Sequence, residues 1–167
     1  VGPSGPIEFA ADRVVLCAGA IASAHLLLLS GVGPAGHLRE CGITPVVDLP
    51  VGRQFRDHPE WVMPTEWRAE DGRAVLEVVL PEDDLEIRPY TTGFGAPTTT
   101  LGVALMRPRT HGRLTLVSAD PAVGPRIEHR YDGEPADVAG LHRGYDLVRE
   151  ILTGATELGP PSWGTSQ

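Results

Sequence analysis

VVLCAGAIASAHLLLLSGVG, residues 14–33, is the stretch whose reading decides the fold. Strand-forming Val14, Val15, Leu16 and Cys17 run into a turn of small residues, Ala18-Gly19-Ala20, and a leucine run, Leu26 to Leu29, stops at Gly31. Strand, bulk-free turn and helix in that order is how an α/β protein brings backbone close to a nucleotide, because small residues let a ligand approach the main chain. The unbroken apolar run 14–17 predicts a central strand buried on both faces, as in a parallel sheet. Ser23 is the expected N-cap, Ala24 to Ser30 the helix body, and Gly31 its left-handed closure.

Upstream, Val1 to Asp12 reads as a hairpin lip, with a turn at Pro3-Ser4-Gly5-Pro6 and a return strand Ile7 to Ala10. Downstream, a short helix Ala35 to Cys41 ends at Gly42, and Ile43 to Leu49 is extended. From Trp61 the pattern changes to strands at 61–64, 74–80, 85–90 and 101–106, with two more at 112–117 and 126–129. No long helical pattern lies between them, so antiparallel pairing is expected. A closing helix starts at Glu134-Pro135-Ala136-Asp137, where Val138, Leu141, Tyr145, Leu147, Val148, Ile151 and Leu152 trace an apolar stripe. Thr156 to Gln167 reads as a loose tail.

Three blocks resemble the glucose-methanol-choline (GMC) family of FAD-dependent alcohol oxidoreductases. The first is Gly19-Ala20-Ile21, Ser23, the leucine run and Ser30-Gly31-Val32-Gly33-Pro34; the second is DLPVGRQFRDHP, residues 48–59. The third is RPRTHGRLTL, residues 107–116, followed by Ser118-Ala119-Asp120-Pro121 and Pro125-Arg126-Ile127. Ala24 departs from the family's usual proline and Gln54 from its usual asparagine. The resemblance implies a fold of α/β plus α+β type. The end of a Rossmann-like FAD-binding domain (1–60) would join a mainly antiparallel substrate-domain sheet (61–106) with a flanking helix, then the start of the GMC C-terminal region (107–155).

The resemblance also implies FAD as cofactor and oxidation of an alcohol CH–OH by hydride transfer to flavin. It puts Ala18, Gly19 and Ala20 beside the ADP part of FAD, and Asp57 and His58 near the flavin. Such chemistry requires a base for the hydroxyl proton. The family's catalytic histidine lies in a C-terminal segment expected beyond Gln167, so no catalytic residue is assigned here. The chain starts at Val1 and is read as an internal piece, lacking N- and C-terminal parts of its own protein. Alone, it is expected to be inactive and to hold flavin weakly or not at all. Asp57 to Val62 and Leu85 to Tyr90 look most like the oxidoreductase associated with the mycofactocin redox-cofactor system. That implies reduced mycofactocin as donor, with electrons passed through a further acceptor toward respiration.

The balance of 22 acidic and 14 basic residues, net −8, argues against a nucleic-acid partner. Every basic residue is arginine, and the lack of asparagine excludes N-glycosylation. Cys17 and Cys41 are expected as reduced thiols. No apolar run approaches the roughly 20 residues that span a bilayer and no signal peptide is visible, so a cytoplasmic location is the default, with membrane association left open.

Gly31 to Gly36 matches GxGxxG but follows a helix and carries Pro34, so it reads as a helix stop and tight turn. Trp61, Trp67, Tyr90 and Phe94 are candidates for an aromatic wall facing substrate, the alternative being ordinary core. His37 and Cys41 are too few to hold a metal, and none is expected. Glu82-Asp83-Asp84 reads as a solvated loop. His111, His129 and His142 have no visible partners, and Ser23 and Ser30 lack a nucleophile-elbow context. Two other functions remain in contention: a non-enzymatic binding or scaffold module that has lost its flavin, and a nicotinamide enzyme using Gly31 to Gly36.

Overall fold

The computed structural model describes residues 5, 7–68, 72 and 74–154. The expected turn around Pro3 to Pro6, Gly5 apart, and the tail Thr156 to Gln167 lie outside these residues. The elements are α1 (Gly19–Leu29), β1 (Val32–Gly33), α2 (Ala35–Glu40), β2 (Val47–Asp48), β3 (Glu60–Arg68), β4 (Leu80–Glu82), β5 (Leu85–Tyr90), β6 (Thr98–Leu105), β7 (Arg113–Thr115), β8 (Arg126–Glu128) and α3 (Pro135–Gly154). The chain folds as two compact units. One holds the described residues up to Arg53 with Leu114–Arg126, and the other holds Gln54–Arg113 with the described residues from Ile127 on.

In the first unit, alanine and leucine, the strongest helix formers, carry α1 back to Gly19 itself. Ser23 therefore lies inside the helix and is not its N-cap; Ala18 holds that place and offers no side-chain cap. The C-terminus closes as expected, with the Gly31 N–H donating to Leu28 O at 3.1 Å and Gly31 at φ 80°. A Cβ at Gly31 would also stand 2.6 Å from the Thr44 carbonyl oxygen, so packing and φ both demand glycine. Only Val47–Asp48 of the extended segment becomes strand, pairing in parallel with β1.

The expected strands Ile7 to Ala10 and Val14 to Cys17 do not form. Phe9, Val14 and Val15 are 85%, 78% and 80% exposed. A strand exists only as one side of a ladder that pairs its N–H and C=O groups. No described segment offers that side, and apolar composition alone does not create it.

The second unit is built on an antiparallel sheet in the order β3-β6-β5-β4. Three of the four strands expected between 61 and 106 form over those positions. The one expected at 74–80 survives only as β4, with an isolated bridge between Leu76 and Tyr90. Val75 and Val78 there are 50% and 53% exposed, with no second face to bury them. β4 and β5 turn at Asp83-Asp84, Asp83 taking φ 54°, as the solvated-loop reading required.

β6 is buried from Thr99 to Leu105, which marks it as the inner strand. Met63, Leu85, Ile87, Leu101, Val103 and Leu105 on one sheet face meet Val148 and Leu152 of α3 in a single core. The expected stripe on α3 holds except at Ile151, which is 40% exposed. β7 and β8 form a separate two-stranded sheet.

The helix sits close because Gly144 has no side chain: a Cβ there would run into Val103, which is fully buried. At Gly140, by contrast, a Cβ would make an ordinary contact of 3.4 Å with Leu105. Alanine is worth up to about 1 kcal/mol over glycine inside a helix, whereas overpacking costs about 1–3 kcal/mol. Gly140→Ala is therefore expected to raise the urea midpoint of this chain and Gly144→Ala to lower it, both followed by circular dichroism; equal shifts would show that α3 does not rest on Val103.

Candidate functional site

Ala18, Gly19 and Ala20 are all exposed, and Gly19 takes φ 81° with nothing within 4 Å of where a Cβ would stand. The first amides of any helix lack an intrahelical acceptor. In α1 no side chain caps them and the first turn holds no acidic residue. With the helix dipole behind them, these N–H groups make an open, electropositive end suited to a phosphate. The donor set and the open space thus fit the pyrophosphate of a dinucleotide.

The GxGxxG look-alike is the reverse case. A Cβ at Gly33 would lie 2.5 Å from Leu28 Cδ2, so that glycine serves packing. The Ala35 N–H at the start of α2 donates to Asp48 Oδ1 at 3.1 Å, and a carboxylate of the chain already occupies that helix end.

In the second unit, the segment after Gln54 is pinned by Phe55, whose backbone pairs with Gly112 and whose ring meets His129 edge-on at 5.4 Å. Asp57 Oδ1 accepts its neighbour's N–H, His58 N, at 2.9 Å, and Tyr131 OH donates to Asp57 Oδ2 at 3.5 Å. Burial and the Asp57 charge push the Tyr131 hydroxyl pKa up. The His58 side chain instead lines an open cleft of about 610 Å³ with Arg56, Arg107, Pro108, Arg109 and His111. Arg56 Nε and Nη2 lie 3.0 and 2.7 Å from His111 Nε2. The histidines that showed no partner in the sequence do have them: Arg56 for His111, Phe55 and Tyr131 for His129, and Trp61 for His142.

The four candidate wall aromatics divide between the two faces of the sheet. Trp61 stacks on Tyr145 of α3 at 5.3 Å and Trp67 packs against the core, so both belong to the helix side. Tyr90 and Phe94 meet edge-on at 5.0 Å. Tyr90 OH donates to Glu60 Oε1 at 2.8 Å, and Arg88 donates to Glu60 at 3.1 Å and to Glu86 at 2.7 Å. Burial works against the Arg88 charge, but Glu86, Tyr90 and Glu60 more than offset it and raise its pKa. A Cβ at Gly102 would collide with the Glu60 carboxylate, so glycine on β6 makes room for this network. The alternation Glu86, Arg88, Tyr90 was the available signal for it, and sequence reasoning did not use it.

Asp137 was also missed as a functional position. Only 3% exposed, it sits in the first turn of α3, where its carboxylate accepts the Arg109 N–H at 2.9 and 3.0 Å and the Thr110 N–H at 2.8 Å. His25 of α1 is buried, with Nε2 lacking a partner among the described residues. Cys41 Sγ lies 3.9 Å from His37 Nε2, and among the described residues no group of three or more His, Cys, Asp or Glu is placed to hold a metal. Both cysteines are free thiols. Among the described residues no helix is long and apolar enough to cross a membrane.

Residues 4–60 and 108–166 match the two models of the GMC oxidoreductase family. An uncharacterised GMC-type oxidoreductase from the thcA 5′ region of Rhodococcus erythropolis is 40% identical over 161 residues, covering 89% of this chain and 33% of that protein. Choline oxidase of Arthrobacter globiformis is 35% identical over 167 residues, covering 85% of this chain and 31% of that enzyme. The chain thus spans about a third of the length of these relatives. Pyridoxine 4-oxidase from "Mesorbium loti" superposes on all of this chain with a TM-score of 0.83 at 20% identity, over 38% of its own length, and so shares its fold.

Burial alone would raise the Asp137 pKa, but the backbone N–H groups of Arg109 and Thr110, with the Thr110 side chain and the Arg109 charge, outweigh it and hold the carboxyl below its ordinary 3.8. A depressed folded-state pKa means that the ionised form stabilises the fold above the unfolded value, and that this stability is lost as pH falls through the folded value. Asp137→Asn is expected to cost about 1.5–3 kcal/mol at neutral pH, the range for hydrogen bonds to a charged group. Urea titrations of both proteins should show that difference constant from neutral pH down to about 5 and shrinking below about 4, where the unfolded chain's carboxyl starts to take up its proton before the folded one does.

Proposed function

The chain belongs to the GMC oxidoreductase family, and from that premise we propose that the whole protein is an FAD-dependent oxidoreductase that takes a hydride from the CH–OH group of an alcohol. The observation that carries this reading is the uncapped, acid-free N-terminus of α1, with open space over Gly19. FAD, when bound, supplies the hydride acceptor. This chain's part is binding: the α1 amides at Ala18, Gly19 and Ala20 would hold a phosphate of the ADP half, and the Asp57-His58 segment would approach the flavin. The base for the hydroxyl proton belongs, on this reading, to the rest of the protein and not to a histidine of this chain.

Within the family, we propose reduced mycofactocin as the donor and respiration as the destination of the electrons, supported by the resemblance of Asp57 to Val62 and Leu85 to Tyr90 to that branch. A choline-type amino alcohol is the second reading, favoured by the 35% identity to choline oxidase.

In the whole protein, anaerobic bleaching of the flavin by reduced mycofactocin but not by choline supports the first donor, and the opposite result the second. A purified protein without flavin that binds none when FAD is supplied overturns the flavoenzyme reading altogether. Ala20→Asp is the sharper test of the site. An acidic residue in the first helical turn is favourable by about 0.3–1 kcal/mol, but it sets a negative charge where the phosphate would lie. The variant is expected to keep or gain thermal stability and to lose flavin absorbance by at least about tenfold at limiting FAD, equivalent to about 1.4 kcal/mol. Asp57→Ala and His58→Ala are expected to lower flavin occupancy too; unchanged occupancy would remove both from the site.

A further inference from the structure

We propose that the cleft between Arg56 and the 106–111 loop is a binding site for a small organic oxyanion, a carboxylic acid or a phosphate monoester. It shares no residue with the phosphate site proposed at the N-terminus of α1. In a chain of net charge −8, three arginines, Arg56, Arg107 and Arg109, and two histidines, His58 and His111, line one cleft that no aspartate or glutamate lines. None of the three arginines forms an ion pair among the described residues.

The contact of Arg56 with His111 does not cancel its charge. A guanidinium only donates, so His111 Nε2 is the acceptor and the contact brings no negative charge to Arg56. Like charges held together without a counter-ion repel, and a bound anion removes that cost.

Several backbone donors around the cleft are already taken. The Arg109 and Thr110 amides go to Asp137, the Met106 amide to Asp84 O at 2.7 Å and the His58 amide to Asp57. Pro108 has no N–H. The groups best suited to bind a ligand there are guanidinium forks, whose planar geometry matches carboxylate and phosphate oxygens. Asp137 takes the Arg109 backbone N–H and feels the Arg109 charge, but makes no ion pair with its guanidinium, which stays available to a ligand in the cleft.

The volume, about 610 Å³, exceeds that of a bare anion, and Met106 and Pro108 add apolar surface. The ligand is therefore an anionic group on an apolar body.

The test is calorimetric titration of the full chain, without flavin and at low constant ionic strength, with acetate, hexanoate and phenyl phosphate. Hexanoate or phenyl phosphate is expected to bind saturably, with hexanoate several-fold tighter than acetate. The contrast between the two saturating probes tells a carboxylate site from a phosphate-ester site. The double variant Arg107→Gln, Arg109→Gln keeps every backbone N–H that Asp137 uses and gives up only the Arg109 charge near it, so it is expected to lower the urea midpoint slightly and weaken binding at least about tenfold. Arg126→Gln, outside the cleft, should change nothing. Absence of saturation with all three probes, or equal weakening by Arg126→Gln, overturns the site. Because no flavin is present, the result stands apart from the dinucleotide reading.

Discussion

The seat of α3 on β6, made possible by the missing side chain at Gly144, is the contact on which the second unit depends. With no Cβ there, the helix backbone comes down onto Val103, the fully buried residue of the inner strand. That depth sets where the first turn of α3 ends up, and the first turn carries Asp137. Its buried carboxylate then takes the Arg109 and Thr110 amides and fixes the loop after β6. The cationic cleft is thus a consequence of helix packing, relayed through one carboxylate to a loop that carries no regular structure at Arg109 and Thr110.

The same sheet spends its other face differently. Away from α3, Glu60, Glu86, Arg88 and Tyr90 form a partly buried polar network of two carboxylates and one guanidinium. Half-buried charges are tolerable only when each finds its partner, and here Arg88 bridges both acids while Tyr90 takes the remaining oxygen of Glu60. Gly102 gives this network room just as Gly144 gives room to the helix. Glycines on β6 and α3 thus govern what can approach the sheet from either side.

How much of this was legible in the sequence depended on whether a feature is local. The β3, β5 and β6 segments, the 83–84 turn, the start of α3 and the Gly31 closure were all readable, because alternation, turn chemistry and helix caps are written in neighbouring residues. Ser23 misled because it is a good cap in isolation, whereas alanines at 18 and 20 let the helix begin earlier. Val14 to Cys17 misled for a deeper reason. Its composition states a preference for a ladder, but the ladder belongs to whatever segment pairs with it, and no described segment does. The role of Asp137, the place of Glu60 in its network and that of Arg56 in the arginine cleft were invisible because each joins residues about 27 to 55 positions apart, and one sequence without an alignment carries no record of such pairings.

Helix ends show why a motif is weaker evidence than the atoms around it. The chain has two strand-or-turn-to-helix junctions rich in small residues, and the one that spells the dinucleotide fingerprint is the one that is closed. At α2 an aspartate thirteen residues away supplies the negative charge, and Leu28 fills the space over Gly33. At α1 the letters fit no such fingerprint, yet the amides are uncapped, the first turn carries no acid and Gly19 faces empty space. A phosphate responds to unsatisfied donors and room, so the physical criterion selects α1 where the pattern of glycines would have selected α2.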